Sequence, residues 1–416
     1  MSRIFHIVVI ADDITGAADT GVQFCPAVGP VHMSSAVDGG FTTTGVQTAG
    51  LAVYTNTRHV DGAAAARSVF TAGETIRCLD HRVVYKKMDS CLRGNVGAEI
   101  DALLQAIGAA ASFIAPALPQ QGRTTVNGVH RINGVPVATT EIGRDPLCPV
   151  GESRLPVLLS DQSHMPVGHV DLACIQKGAA AMVERIRTLL KKGCRHITFD
   201  AEKTAHLDAI AGLARDHFEN TLLAGSAGLA GSLAGILSRE RSLQPIVDRP
   251  SIERWLFVCG SASRVLGDQV AALARSTGWA CLSLAPAQLT SGDGSTPSAA
   301  ELMDAWRAGS LILCIEPILD AGPTVSSEQV VRGLARVAAA LITAKAPQGL
   351  FLSGGDTAEA VRYQAGASAL LIHEEILPGL VRGEFVDGPF DGLPVVTKAG
   401  AFGEVDTLNQ LIHSLK

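Results

Sequence analysis

The sequence predicts an α/β protein of two domains, each a mostly parallel sheet flanked by helices, with the active site in the cleft between them. Three observations carry that expectation. Short runs rich in Val, Ile and Leu alternate with Ala-rich amphipathic segments, as strands buried on both faces alternate with crossover helices. The chain has 416 residues, whereas a single core stops growing at roughly 250–300 residues. The alternation is also broken by a charged stretch with two prolines, "SRERSLQPIVDRPS" at 238–251, which reads as a linker. The expected organisation is a first domain at 1–240, a linker at 241–251 and a second domain at 252–416.

In the first domain, strands are expected at 7–10, 50–54, 82–85, 112–114, 196–199 and 221–223. The segment 116–149 departs from the rhythm. Its prolines, two Asn-Gly pairs and alternating Val and polar residues predict a β-hairpin insertion along one edge of the domain. The Gly/Ala-rich stretch 222–237 has glycines every third or fourth residue, a spacing suited to close helix packing. In the second domain, strands are expected at 255–258, 280–284, 310–315, 349–352 and 395–397. Helices are expected near 265–276, 298–308, 327–343 and 356–365.

Composition removes several function classes. A formal net charge of −6 with only 4% aromatic residues offers neither a basic face nor a stacking platform, so no nucleic-acid partner is expected. The nine cysteines are scattered without a CxxC pair and read as reduced thiols, not as a disulfide frame or zinc site. No apolar segment approaches the ~20 residues of a membrane helix, and the N-terminal run is too short for a signal segment. A cytoplasmic protein without a membrane partner is expected. The histidines form no HxH or HExxH pattern and no Ser lies in GxSxG, so no protein-bound metal and no hydrolase triad are expected.

Candidate chemistry lies where strands end, because ligands of open α/β sheets bind beyond the carboxyl ends of the strands. The first strand runs into "ADDITG", with Asp12 and Asp13 adjacent. One aspartate is explained by capping the following helix; a pair is not. Two acids repel a phosphate and suit a polyol hydroxyl, a metal ion or a proton to be removed. Asp13 is the candidate base, and Asp12 is expected to support the turn beside the substrate.

The next cluster, "YKKMDSCLRGNVGAEI" at 85–100, also follows a strand. For Lys86 and Glu99 the expectation is a solvated helix face. Lys87, Ser90 and Arg93 recur every third residue and would share a face in helical geometry, grouping donors for a small carboxylate or phosphate. Arg58, in "YTNTRHV" after another strand, is expected to join them.

In the second domain, "GLFLSGGDTAEAVRYQ" at 349–364 reads as strand, Gly-Gly turn and helix. Gly354 and Gly355 allow backbone amides to approach an anion at a helix N-terminus. The plainer alternative is an ordinary turn capped by Asp356 or Thr357. "FVCGSASRVLGDQV" at 257–270, with Ser261 and Ser263, and "TKAGAFGEVDTL" at 397–408, with Lys398, Gly400 and Gly403, are built alike. Three such loops point to a nucleotide phosphate tail, although neither GxxxxGK(S/T) nor a strand-borne GxGxxG is present.

These pieces resemble the four-carbon acid sugar kinases, a family long catalogued as a domain of unknown function. The matching stretches are "ADDITGAADTG", "KKMDSCLRGNVGAEI", "PALPQQGRTTVNG", "NGVPV", "DPLCP", "LLAGSAGLA", "SGGDTAEAV" and "KAGAFG", in the family's order from Ala11 to Gly403. Two departures stand out: Cys91 where the family usually shows Thr, and Arg264-Val-Leu where a Pro/Thr pattern is usual. The resemblance implies an acid-sugar-binding first domain, an ATP-binding second domain, and phosphorylation of the 4-hydroxyl of D-threonate, D-erythronate or a 3-oxo-tetronate. Carried onto this chain, substrate contacts fall on Asp13, Arg58 and the segment Lys87, Met88, Asp89 and Ser90, and Asp12 and Arg93 are added to them from their places in the same strand-end motifs. Asp89 is the rival of Asp13 as base. Nucleotide contacts fall on Ser261, Gly354, Gly355, Asp356, Thr357 and the Gly400 region, to which the loop reading above adds Lys398 and Gly403, with Mg²⁺ carried by ATP and a homodimer left open. The rival readings are a haloacid-dehalogenase-like phosphatase, whose DxD spacing this chain lacks, and a non-catalytic sugar-acid sensor.

Overall fold

The computed structural model describes residues 4–37, 41, 43, 45–145, 147–239, 249, 251–261, 263–290, 299–306, 309–316, 326–400 and 402–415. The chain divides into two compact units, Met1–Pro245 and Ile246–Lys416. Of the expected linker, only Arg249 and Ser251 lie among the described residues.

The first unit opens with β1 (Ile7–Ala11), α1 (Ile14–Val28), β2 (Val31–Ser35), β3 (Gly50–Tyr54), α2 (Gly62–Arg77), β4 (Val84–Lys87), α3 (Val96–Ile107) and β5 (Ala111–Ala115). A small antiparallel sheet follows, of β6 (Arg123–Val126), β7 (Val129–Ile132) and β8 (Val135–Pro136). The chain then returns through α4 (Leu155–Gln162), β9 (Val167–Val170), α5 (Leu172–Gln176), α6 (Ala179–Lys191), β10 (His196–Phe199), α7 (Thr204–His217), β11 (Thr221–Gly225) and α8 (Ala227–Arg239).

The main strands of this unit run in the order β2-β3-β1-β4-β11-β5-β10-β9, and every pairing between them is parallel. Helices on both faces explain why β1, β3, β4 and β5 are buried at every position, as parallel strands usually are. Parallel crossovers also bring the carboxyl ends of β1, β3 and β4, and thus Asp12, Arg58 and Lys87, to one rim.

The insertion is real, but its position differs from the expectation. It lies over the strand ends instead of along an edge: Thr125 bridges to Ala201 after β10, and His130 reaches Ser90 after β4. Both Asn-Gly pairs turn with positive φ at each residue, 53° and 72° at Asn127-Gly128 and 49° and 82° at Asn133-Gly134. That conformation matches strand twist and favours Asn followed by Gly. The 222–237 segment is split between β11 and α8. A Cβ on Gly228 would come within 2.6 Å of the Ala117 carbonyl oxygen, so close packing explains that glycine.

The second unit contains β12 (Trp255–Cys259), α9 (Arg264–Thr277), β13 (Ala280–Leu284), α10 (Pro286–Thr290), α11 (Ala299–Ala305), β14 (Leu311–Ile315), α12 (Ser327–Lys345) and β15 (Gly349–Ser353). It ends with α13 (Gly355–Gln364), β16 (Ala369–Leu377), β17 (Leu380–Val386), β18 (Pro394–Lys398) and α14 (Thr407–Ser414). Its strands run β13-β14-β12-β15-β18-β17-β16, parallel through β18 and antiparallel over the last two pairings. Trp255, Phe257 and Phe351 pack in its core.

Candidate active site

In the first unit, Asp12 and Asp13 leave β1 side by side, and it is Asp13, not Asp12, that supports the turn into α1. Asp13 is the cap of α1: its carboxylate accepts the Gly16 amide at 2.9 Å and the Thr15 hydroxyl at 2.6 Å. Asp12 is the more buried, and Arg58 grips both its oxygens, with Nε at 2.7 Å and Nη2 at 3.1 Å. The third guanidinium nitrogen, Nη1, lies 2.8 Å from Asp13. Each guanidinium nitrogen of Arg58 thus meets one of the two acids, and Arg58 orients them. Burial pushes the Asp12 carboxyl up, but Arg58 and Lys86 outweigh it and hold Asp12 below the usual range.

The Lys86–Arg93 segment is not helical. β4 carries Lys86 and Lys87, a loop follows, and α3 begins only at Val96. The helical face expected of Lys87, Ser90 and Arg93 therefore does not form. The solvated-face expectation for Lys86 and Glu99 fails as well: both are buried and paired at 2.7 Å. Lys86 also donates to the Lys87 carbonyl at 2.7 Å, and Thr57 donates to Glu99 at 2.6 Å. Burial and the Asp12 charge raise Glu99 more than Lys86 lowers it.

Asp89 organises the loop. It accepts the amides of Cys91 and Arg93, each at 3.2 Å, and the Arg93 side chain at 2.9 and 3.2 Å. Burial opposes its charge, yet Arg58, Arg93 and Lys87 hold it far below the carboxylate range. Met88 is buried, and its amide donates to the Gly225 carbonyl at 2.9 Å. Ser90 is fixed through its backbone by His130 at 2.8 Å. Leu92 is held at φ 67° and Asn56, in the Arg58 loop, at φ 54°. A left-handed leucine is strained, and such strain gathers where a loop must hold a functional shape.

Lys87 differs from its neighbours. Its side chain runs past Gly16, where an added Cβ would come within 3.1 Å of Nζ. Among the described residues Nζ has no hydrogen-bond or ion-pair partner. Side chains that the motifs did not single out complete the site: Thr57 and Glu99 beneath Asp12, Asp145 at 3.7 Å from Arg93, and His130 behind Ser90. Asp145 lies in the matching stretch "DPLCP", and His130 lies two residues beyond "PALPQQGRTTVNG", but nothing in their spacing pointed to a role.

In the second unit, three loops converge at the ends of the adjacent strands β12, β15 and β18. The Gly354 amide donates to the Lys398 carbonyl at 2.9 Å. Ser263 caps α9 and donates to the Gly400 carbonyl at 3.1 Å. A Cβ on Gly400 would lie 2.6 Å from that of Ser261. Helix α13 starts behind Gly354 with no side-chain cap, so neither Asp356 nor Thr357 plays that part. Thr357 is buried against Gly260, Asp356 is exposed, and Gly403 packs on Thr407 at φ 87°. Lys398 departs from its expected phosphate contact: its ammonium folds back onto the carbonyls of Ala399, Gly400 and Phe402 at 2.8–3.0 Å. Burial pulls it down to about 8.

These loops fit a nucleotide's phosphates on two counts: the first turn of α13 has no side-chain cap, which suits an anion at a helix N-terminus, and the buried Ser353 hydroxyl at its foot has no partner among the described residues. The described residues contain no group of three or more His, Cys, Asp or Glu that could hold a metal ion. No described helix is long and apolar enough to cross a membrane. A Ser112–His196–Asp101 hydrogen-bonded chain exists, but Ser112 and His196 are fully buried, so it has no accessible nucleophile.

Comparison with known proteins finds one family for each part of the chain. A sugar-binding N-terminal domain family matches residues 7–233, and a nucleotide-binding C-terminal domain family matches residues 256–408. A D-threonate kinase of Salmonella typhimurium is 31% identical, covering 99% of this chain and 98% of its own. A D-erythronate kinase of Heliobacterium modesticaldum is 27% identical over 96% and 95%. A 3-oxo-tetronate kinase of Brucella melitensis is 26% identical over 76% and 73%. A solved structure from Salmonella typhimurium shares the fold, with a TM-score of 0.84 at 22% identity and coverage of 99% of this chain and 100% of that one. The chain belongs to the four-carbon acid sugar kinases, a family of carbohydrate-acid kinases.

Proposed function

We propose that this protein transfers the γ-phosphoryl group of ATP to the 4-hydroxyl of a four-carbon sugar acid, with D-threonate the first candidate and D-erythronate and 3-oxo-tetronates next. The observation that carries the reading is the rim of the first unit: two aspartates locked by one arginine, with the Lys87 side chain, unpartnered among the described residues, beside the first turn of α1. Acids accept hydroxyl protons, and the lysine answers a negative substrate. The preference for D-threonate rests on the higher identity of the D-threonate kinase relative.

Phosphoryl transfer needs positioning and charge neutralisation more than covalent chemistry. Asp13, whose side chain keeps 15% of its surface exposed, orients the attacking hydroxyl and takes its proton. Asp89, with both oxygens held by Arg93, shapes the loop that presents Lys87 and Ser90. In the second unit, amides at Gly354, Gly355 and Gly400 hold the ATP phosphates, with Ser261 beside them. Mg²⁺, when bound with ATP, neutralises charge between its phosphates. Lys398 keeps the carbonyls of Ala399, Gly400 and Phe402 turned away from the anion.

The test is ADP release with each stereoisomer of threonate and erythronate and their 3-oxo forms. An Asp13→Asn variant is expected to lose about 100-fold or more in kcat, the scale of a proton-transfer group. Turnover near wild type would remove Asp13 from the chemistry. Phosphate release from sugar phosphates without ATP would favour a phosphatase instead.

A further inference from the structure

We infer that Arg123, delivered over the strand ends by the antiparallel insertion, binds the carboxylate of the sugar acid and sets the enzyme's preference for acids over neutral polyols. This rests on the kinase reading above and extends it to a residue in "PALPQQGRTTVNG" that has had no role so far.

The other cations of the site are already engaged. Arg58 holds Asp12 and Asp13, Lys86 holds Glu99, and Arg93 holds Asp89 and faces Asp145. Among the described cations of the site, Lys87 and the Nε of Arg123 remain to meet an incoming anion. Arg123 opens β6, whose register with β7 places Thr125 opposite His130. His130 in turn bonds the Ser90 carbonyl, so Arg123 is carried by the same small sheet that is pinned to the substrate loop. Its guanidinium lies beside the thiol of Cys91 in that loop.

The arginine is oriented but not satisfied. Nη1 donates to the Gln121 carbonyl at 3.0 Å and to the Gln121 side-chain oxygen at 2.6 Å. Nε is buried and has no hydrogen-bond partner among the described residues. A guanidinium anchored through Nη1 keeps Nε in reserve beside the Cys91 thiol, and the Nε side of such a fork suits the oxygens of a carboxylate. A buried donor without an acceptor is unfavourable, and an acid substrate supplies the missing acceptor. Lys87, a point charge on a flexible stem, is left for the hydroxyls and the transferred group.

The experiment compares the full chain with its Arg123→Gln and Arg123→Lys variants, using D-threonate and D-threitol, which keeps the carbon chain but replaces the carboxylate with a hydroxymethyl group. The expected result is a KM for D-threonate raised at least tenfold in Arg123→Gln, less in Arg123→Lys, with kcat and the KM for ATP within about threefold of wild type. The preference for D-threonate over D-threitol should fall by the same factor. An unchanged KM in a variant that melts like wild type overturns the inference, as does an equal loss on acid and polyol. If the wild type consumes no ATP with any sugar acid, the kinase reading fails on its own. The inference is then judged by thermal shift with D-threonate alone: a shift lost in Arg123→Gln supports it, and a shift retained, or none in wild type, overturns it.

Discussion

Arg58 and Asp12 form a two-point clasp, Nε and Nη2 of the one meeting both carboxylate oxygens of the other at 2.7 and 3.1 Å. The clasp joins the ends of β1 and β3, which are parallel neighbours, and leaves Nη1 to hold Asp13. Replacing Arg58 with Met would leave Asp12 buried and unpaired, a loss of about 3 kcal/mol or more. Chemical denaturation should show that loss. The Asp12→Asn/Arg58→Met double variant should recover part of it, because the stranded charge is then gone. Arg58→Lys keeps the charge but not the fork, and is expected to lower kcat/KM at least tenfold while recovering most of the stability.

His130 makes stability depend on pH. The Ser90 carbonyl can only accept, so Nε2 carries the proton and Nδ1 accepts from Thr125 at 2.9 Å. Burial is the main cause that brings this imidazole down to about 4 from the usual 6.5. Because the folded value lies below the unfolded one, the contribution is fully present above pH 6.5. It is lost as pH falls towards 4, when the unfolded chain takes up a proton that the fold rejects. The full difference is about 3 kcal/mol. His130→Gln keeps one donor and one acceptor but does not titrate, so its unfolding free energy should fall less than wild type between pH 7.5 and 5.

Gly400 is fixed by contact with Ser261. An added methyl would sit 2.6 Å from the Ser261 Cβ, a clash that rotation of the hydroxyl does not relieve. Gly400→Ala is expected to raise the KM for ATP at least tenfold and to cost about 1–3 kcal/mol of stability, with the KM for the sugar acid unchanged within twofold. A Gly400→Ala/Ser261→Gly double variant should recover part of the ATP affinity. No recovery would separate the effect from this contact.

Most strands were legible because burial on both faces leaves an unbroken apolar run, as in Gly50–Tyr54 and Trp255–Cys259. Val31–Ser35, Val167–Val170 and the Ala369–Leu377/Leu380–Val386 hairpin were not, because His, Ser, Gly and Glu interrupt their runs. At the site, residue types at strand ends were legible, but pairings were not. Lys86 meets Glu99 only because a strand and the following helix fold against each other, and no spacing rule states which lysine turns inward. The three-residue spacing of Lys87, Ser90 and Arg93 misled because it assumed a helix where a strand gives way to a loop. Asp12 and Asp13 are adjacent in the sequence, and only backbone geometry decides which becomes the cap.

The strand order β4-β11-β5 has a consequence for how the protein is made. The Met88 amide hangs on the Gly225 carbonyl, and the Tyr85 hydroxyl donates to the Ser226 carbonyl at 2.6 Å. A ribosome releases β4 and β5 long before it releases the strand that separates them. Until Gly225 emerges, the gap between them is unfilled and the loop bearing Lys87 to Arg93 has no floor. Non-local parallel pairing of this kind is slow to form and leaves strand edges open while it waits. A nascent chain halted before residue 225 therefore holds every acid and base of the sugar site in sequence and cannot yet assemble them.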